Sequence, residues 1–172
     1  MALLAYVDDI VLAGNDTQTC NNFKTYLNAC FSMKDLGPLK YFLGIEVAHG
    51  WQGLFLCQRK YAPEIIDECG LLGANPAEFP IEENHKLALA DGRLLEDATR
   101  YRWLAGRSIY LTITRPDLVY AVHMLSQFMQ APSEEHMEAA HRVLRYLKGS
   151  AGYGILAQAN SELRLYGFCD SD

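Results

Sequence analysis

The stretch Leu3-Leu4-Ala5-Tyr6-Val7-Asp8-Asp9-Ile10-Val11-Leu12-Ala13-Gly14-Asn15-Asp16 decides how the rest of the chain is read. Two runs of strand formers, Ala2 to Val7 and Ile10 to Ala13, are separated only by Asp8 and Asp9 and end on the turn signal Gly14-Asn15-Asp16. The pattern predicts a tight hairpin with acids at its tip. Two adjacent carboxylates repel each other unless a cation sits between them and a further acid, and Mg²⁺ suits such a site. Taken alone, such a pair more often describes a solvated turn.

Working outward, apolar residues at Phe23, Tyr26, Leu27, Cys30 and Phe31 repeat with a helical period behind Asp16, which is placed to cap the first turn. They predict a helix packed by one face. Leu39 to Val47 and Leu54 to Gln58 predict a second hairpin around His49-Gly50-Trp51-Gln52-Gly53, and Lys60 to Cys69 a short helix with Pro63 near its start and Gly70 after its end. Between Gly73 and Asp97 periodicity is lost, so this segment reads as a surface connection and the best candidate for a domain boundary and hinge. Three helices follow, at Ala98 to Arg115, Pro116 to Gln130 and Ser133 to Lys148, the last with Glu134 and Glu135 in its first turn and Gly149 beyond its end. Tyr153 to Ala157 and Leu163 to Asp170 read as closing strands, the second placing Tyr166, Phe168, Asp170 and Asp172 on one face.

The 172 residues are 50% hydrophobic, enough to bury a core, and carry 15 Lys plus Arg against 21 Asp plus Glu, a net charge of -6. A chain held on nucleic acid by overall charge alone is therefore excluded, and any such contact must be local. Cys20, Cys30, Cys57, Cys69 and Cys169 show neither zinc nor disulfide spacing and read as free thiols. The apolar start meets two aspartates too early for a signal peptide or membrane span, so the chain reads as soluble and intracellular, with no membrane partner. His49, His85, His123, His136 and His141 show no ligand pairing and read as surface or internally satisfied histidines.

The word Tyr6-Val7-Asp8-Asp9 within LLAYVDDIVLAG resembles the signature hairpin of reverse transcriptases. FSMKDLGPLKYFLGIEV (Phe31 to Val47), GLFLCQRKYAPEII (Gly53 to Ile66), YLTITRPDLVYAV (Tyr110 to Val122), LSQFMQAPSEEH (Leu125 to His136) and RVLRYLKG (Arg142 to Gly149) continue the likeness, in order. Together they resemble the Pol polyprotein of Ty1/copia-type retrotransposons, from the reverse transcriptase hairpin to the start of ribonuclease H. The resemblance implies an α+β fold: a partial palm of two hairpins and a helix over residues 1–72, a connecting segment over 73–97, a helical thumb and connection over 98–150, and the first strands of a truncated ribonuclease H over 151–172.

It also implies RNA-templated DNA synthesis by two Mg²⁺ ions in the full-length polyprotein, with template-primer, dNTP and the rest of the polyprotein as partners, in cytoplasmic particles. Asp8 and Asp9 are the implied catalytic and metal-binding pair, with Asp8 the ligand to both ions, and Tyr6 and Val7 line the nucleotide and primer side. Phe42-Leu43-Gly44 resembles the primer grip, where a glycine in a strand also suits close backbone approach, although Phe42 and Leu43 serve packing as well. Arg142, Arg145 and Lys148 are candidate phosphate contacts, or simply a solvated, dipole-compensating helix face. Thr114-Arg115-Pro116-Asp117 reads as structure before catalysis. Asp170, in YGFCDSD, corresponds to the first metal ligand of ribonuclease H, whose partner acids lie past Asp172. The family's other palm aspartate and fingers would precede Met1, so the isolated chain is expected not to extend a primer, and the apolar hairpin Leu3 to Leu12 is expected to promote association. The alternative is a degenerate relic with no catalysis, or with nucleic-acid binding only.

Overall fold

The computed structural model describes residues 1–83, 85, 87–89, 92–162, 164 and 167. The chain forms two compact units, Met1–Leu43 and Gly44–Asp172.

The first unit opens with strands β1 (Ala2–Tyr6) and β2 (Asp9–Ala13), antiparallel and in register from Ala2 opposite Ala13 to Tyr6 opposite Asp9. Helix α1 (Thr17–Cys30) follows, and Asp16 caps it by accepting a hydrogen bond from the Gln18 N–H at 3.0 Å. The expected packed face is only partly realised. Phe23 and Leu27 are half-buried, Tyr26 and Phe31 are exposed, and α1 has no buried residue. A helix and a two-stranded ribbon offer each other too little apolar surface to shut water out of either. Lys24 reaches Asp35 at 3.0 Å and Asp35 accepts from the Gly37 N–H at 2.9 Å, which fixes the loop after α1 and holds the Asp35 carboxyl below its usual range. A two-residue strand, β3 (Tyr41–Phe42), ends the unit.

The second unit holds the core. Strands β4 (Ile45–Gly50) and β5 (Gly53–Cys57) pair antiparallel around Trp51-Gln52, and β6 (Gly154–Gln158) pairs antiparallel with β5 from Gly53 opposite Gln158 to Cys57 opposite Gly154. The described strand near the C-terminus thus joins the second hairpin's sheet; the partner expected for it, Leu163 to Asp170, lies mostly outside the described residues. Glycine makes that pairing close: a Cβ on Gly154 would lie 2.1 Å from the Leu56 carbonyl oxygen.

Helices α2 (Tyr61–Glu68), α3 (Thr99–Leu111), α4 (Val119–Ser126) and α5 (Glu134–Gly149) bury Ile65, Tyr101, Leu104, Leu125 and Leu144 against one another. α2 stops as its sequence predicts. Gly70 takes φ +70°, its N–H binds the Asp67 carbonyl at 2.8 Å, and the Leu71 N–H binds Ile66 at 2.9 Å, satisfying carbonyls the helix leaves open. α3 and α4 are shorter than their periodicity suggests, and Pro116 begins a separate 3-10 turn, Pro116–Leu118, so α4 starts only at Val119.

The connection over 73–97 is long but tied down. Leu87 is buried, a 3-10 turn spans Leu87–Leu89, Leu94 bridges Ser133, and the Leu95 N–H binds the Pro132 carbonyl at 2.9 Å. At the start of α5, the Ser133 N–H donates to His136 Nδ1 at 2.9 Å, so Nδ1 is the acceptor and Nε2–H donates to the Leu87 carbonyl at 3.0 Å. His136 stacks on Phe128 with ring centroids 4.0 Å apart, an internally satisfied histidine as the sequence suggested.

Candidate functional site

Tyr6 faces Asp9 across the first hairpin, leaving Val7 and Asp8 as a two-residue loop. Val7 has φ +50°, a left-handed conformation that a β-branched residue takes only at a cost of about 1–3 kcal/mol. The strain falls at the tip itself. It turns the chain tightly enough that Asp8 occupies the loop while Asp9 begins β2. Val7 is 86% exposed and Tyr6 is exposed beside it, so neither side chain is held by packing.

The carboxylates of Asp8 and Asp9 are exposed and make no hydrogen bond or ion pair among the described residues. They open onto a groove of about 760 Å³ within the first unit, lined also by Leu12, Leu27, Lys24, Lys34, Asp35 and Lys40. Unpartnered carboxylate oxygens are the donor type a hard divalent cation prefers, and Mg²⁺ is commonly held by one or two carboxylates with substrate phosphates completing its shell. The donor chemistry therefore fits Mg²⁺, and Asp8 and Asp9 are the residues that would hold it. Among the described residues no three carboxylate, histidine or cysteine side chains converge as a metal-binding group.

Sequence reasoning passed over the lysines of the groove. Lys34 and Lys40 line the same opening as the aspartates and, unlike Lys24 with its Asp35 partner, have no ion-pair partner among the described residues. Their signal was present in SMKDLGPLK, which alternates bases and turn residues immediately after an amphipathic helix.

Phe42 ends β3, and Leu43-Gly44 is a turn, so Leu39 to Val47 is not one continuous strand. Leu43 and Gly44 have φ +49° and +81°, the signature of a tight two-residue loop between β3 and β4. Glycine is needed there for its left-handed backbone. In the second unit, a Cβ added to Gly44 would come 3.6 Å from the Tyr110 ring, ordinary contact distance.

The helical strip Arg142, Arg145, Lys148 is half-buried and partly committed inside the protein. Arg142 pairs with Glu82 at 2.8 Å, and Lys148 donates to the Leu72 and Ala74 carbonyls, the latter at 2.8 Å. A phosphate reaching these two would have to displace those partners. Asp170 lies outside the described residues.

Thr114 to Asp117 forms a buried polar knot. The Arg115 guanidinium, 3% exposed, donates to both Asp117 oxygens at 2.9 and 2.6 Å, to the Ser150 carbonyl at 2.9 Å and to Ser150 Oγ at 2.7 Å. Tyr146 donates its hydroxyl to Asp117 at 3.0 Å, and Thr114 donates to Gln58 Oε1 at 2.8 Å. Burial pushes the Asp117 carboxyl up, but the bidentate Arg115 and the Tyr146 hydroxyl outweigh it and hold the group below its usual range. Every partner is structural, in keeping with the reading from sequence.

Comparison with known proteins places these features in a family. Residues 1–83 match the family model described as reverse transcriptase (RNA-dependent DNA polymerase). The chain is 42% identical over 170 residues to the retrovirus-related Pol polyprotein from transposon RE1 of Arabidopsis thaliana, covering 99% of this chain and 12% of that polyprotein. It is 32% identical over 179 residues to the corresponding polyprotein from transposon TNT 1-94 of Nicotiana tabacum, covering 13% of it, and 41% identical over 172 residues to an uncharacterized mitochondrial protein of Arabidopsis thaliana, covering 71% of it. The chain thus spans about an eighth of the polyproteins it matches. No solved structure matches it.

Proposed function

Since the chain belongs to the reverse transcriptases of copia-type retrotransposon Pol polyproteins, we propose that it is the segment of such a polyprotein that presents two carboxylates, Asp8 and Asp9, to the metal ions of DNA synthesis on an RNA template. The observation that carries the reading is the pair of unpartnered carboxylates at a strained hairpin tip, opening on a groove with cationic side chains. Asp8, in the loop, faces solvent on a two-residue turn and can reach a metal with either oxygen; Asp9, fixed in β2, holds its carboxylate at a set register. Mg²⁺, when bound, would supply charge neutralisation for the triphosphate and activation of the primer hydroxyl.

Lys34 and Lys40 stand where the triphosphate's charge would be met from the protein side, and Tyr6 offers a ring beside the tip for the primer end or the incoming nucleotide. The left-handed turn Leu43-Gly44 is the proposed place of contact with the primer backbone. Template-primer and dNTP are the partners this reading requires, supplied with the rest of the larger polyproteins of which the relatives are part. Among the described residues no helix is long and apolar enough to cross a membrane.

The test is primer extension by a polyprotein carrying this chain in its place. Asp8→Asn should abolish extension while leaving the melting temperature unchanged, since Asp8 touches nothing that holds the fold. Extension at the parental rate would refute the assignment. The isolated chain is proposed to bind Mn²⁺ at Asp8 and Asp9 without extending a primer, read as paramagnetic broadening of the 7–10 amides.

A further inference from the structure

In the second unit the connecting segment crosses the start of α5 as a strap, held at successive points. The Leu87 carbonyl accepts from His136 Nε2 at 3.0 Å, the Arg93 carbonyl accepts from the Glu134 N–H at 3.0 Å, Leu94 bridges Ser133, and the Leu95 N–H donates to the Pro132 carbonyl at 2.9 Å. Gly92 lies so near Glu135 that a Cβ there would overlap its carboxylate. Of the hydrogen bonds in this set, only the one through His136 uses a side chain whose donors and acceptors change with protonation near neutral pH. The His136 ring is 4% exposed and occupied on both edges. Its Nδ1 accepts from the Ser133 N–H at 2.9 Å and lies 2.8 Å from Ser133 Oγ, while Nε2 holds Leu87.

The neutral imidazole, with its hydrogen on Nε2, satisfies every one of these partners. A second proton has only Nδ1 to go to, and there it meets the Ser133 N–H donor against donor. Ser133 Oγ can turn round and accept it; the amide cannot, because the backbone at the helix start fixes its direction. The groups that favour a charged ring are weaker. Glu135, the carboxylate whose charge bears on His136, is exposed and acts through water. The end of α4 brings the uncharged Phe128 ring, and Arg93, the cation among the described residues of the strap, is exposed and paired with Glu96. We propose that His136 is an acid-sensitive pin, which fastens the strap over residues 87–95 to α5 while the imidazole is neutral and releases it when a second proton is taken up. The ring is buried, so the proton arrives as the strap opens. Release uncovers the core of the second unit at Leu87, which is buried in it. A histidine in water takes up its proton at about pH 6.5, so the fastened state is complete above that range and loosens as pH falls through it. The device lies outside the first unit and stands independently of the roles of Asp8 and Asp9.

The experiment follows hydrogen exchange of the Ser133, Glu134 and Leu95 amides in the full chain by NMR, each rate divided by the intrinsic rate at the same pH. With one proton bound only in the open state, the opening constant of these amides should rise roughly fourfold between pH 8 and pH 6. His136→Gln keeps an acceptor for the Ser133 N–H, as in a Ser-x-x-Gln capping box, but does not titrate, and should flatten the profile. His85→Gln, in the same connecting segment, should leave the rise intact. No rise in the parent chain, or a rise that survives His136→Gln, overturns the proposal. Should His136→Gln fail to fold, the parent decides through the His136 ring protons. Titration of the ring in step with the rise supports the pin, and a ring that titrates while the three amides stay protected overturns it.

Discussion

Between Met1 and Leu43 the apolar residues of a hairpin and a helix remain half-buried or exposed, whereas between Gly44 and Asp172 four helices close over fully buried leucines and a buried tyrosine. The residues proposed to meet metal and nucleotide all lie in the first unit or at its end, and the residues that hold a core lie in the second. Chemistry at a hairpin tip needs exposed, unpartnered carboxylates and tolerates strain; a core needs the reverse. The reverse transcriptase family model ends at residue 83, partway into the second unit, while the likeness to the Pol polyproteins runs over 99% of the chain and so spans both units.

The sharpest way to break the comparison is to excavate both units alike. Leu144→Ala, at a site with no exposure, should cost about 3–5 kcal/mol in urea unfolding, whereas Leu4→Ala on exposed β1 should cost under about 0.5 kcal/mol. Similar losses at the two sites would erase the distinction. Next in size, Arg115→Met leaves Asp117 and Ser150 without their donor inside the second unit and should cost about 3 kcal/mol, with Arg115→Lys failing to restore the fork. A thermal melt that does not move would mean the knot is ornamental. In the first unit the opposite sign is expected: Val7→Gly should relieve the left-handed backbone and stabilise the hairpin by about 1 kcal/mol, seen as slower amide exchange across β1 and β2.

The smallest effect is in the acid limb. Asp117 lies below its ordinary value of 3.8 in the folded chain, so its contribution is complete above that value and is lost as pH falls through the lower, folded one. Asp117→Asn should be weaker than the parent at neutral pH, and the two unfolding curves should converge as the solution is acidified below about pH 4. Parallel curves would show that Asp117 does not titrate with unfolding.

The sequence carried the local elements well, because their signals are local. Asp16, Gly70 and Ser133 each set a helix end through their own side chain or backbone freedom, and all three act where they stand. The hairpin tip was legible in the same way, down to the acids. What escaped were properties of surroundings rather than of words. The periodicity of α1 announces a packed face, but not whether enough partner surface exists to bury it. Leu39 to Val47 read as one strand because Leu43 is a strand former; only its positive φ shows the turn. The irregular run over 73–97 lacks period because it is held by hydrogen bonds to the start of α5, a tether visible only once His136 is seen to reach Leu87. Arg142, Arg145 and Lys148 look alike in sequence, yet only Arg145 is without an internal partner among the described residues.

The Arg115 knot has a kinetic corollary. Arg115 and its Ser150 acceptors sit 35 residues apart, one on the approach to α4 and the other just after α5, so these contacts cannot close until α5 has been laid along the other helices. Closure at that late stage means the knot acts as a latch on the finished unit rather than a seed for it. Weakening it should speed escape from the native state while leaving the speed of arrival nearly unchanged.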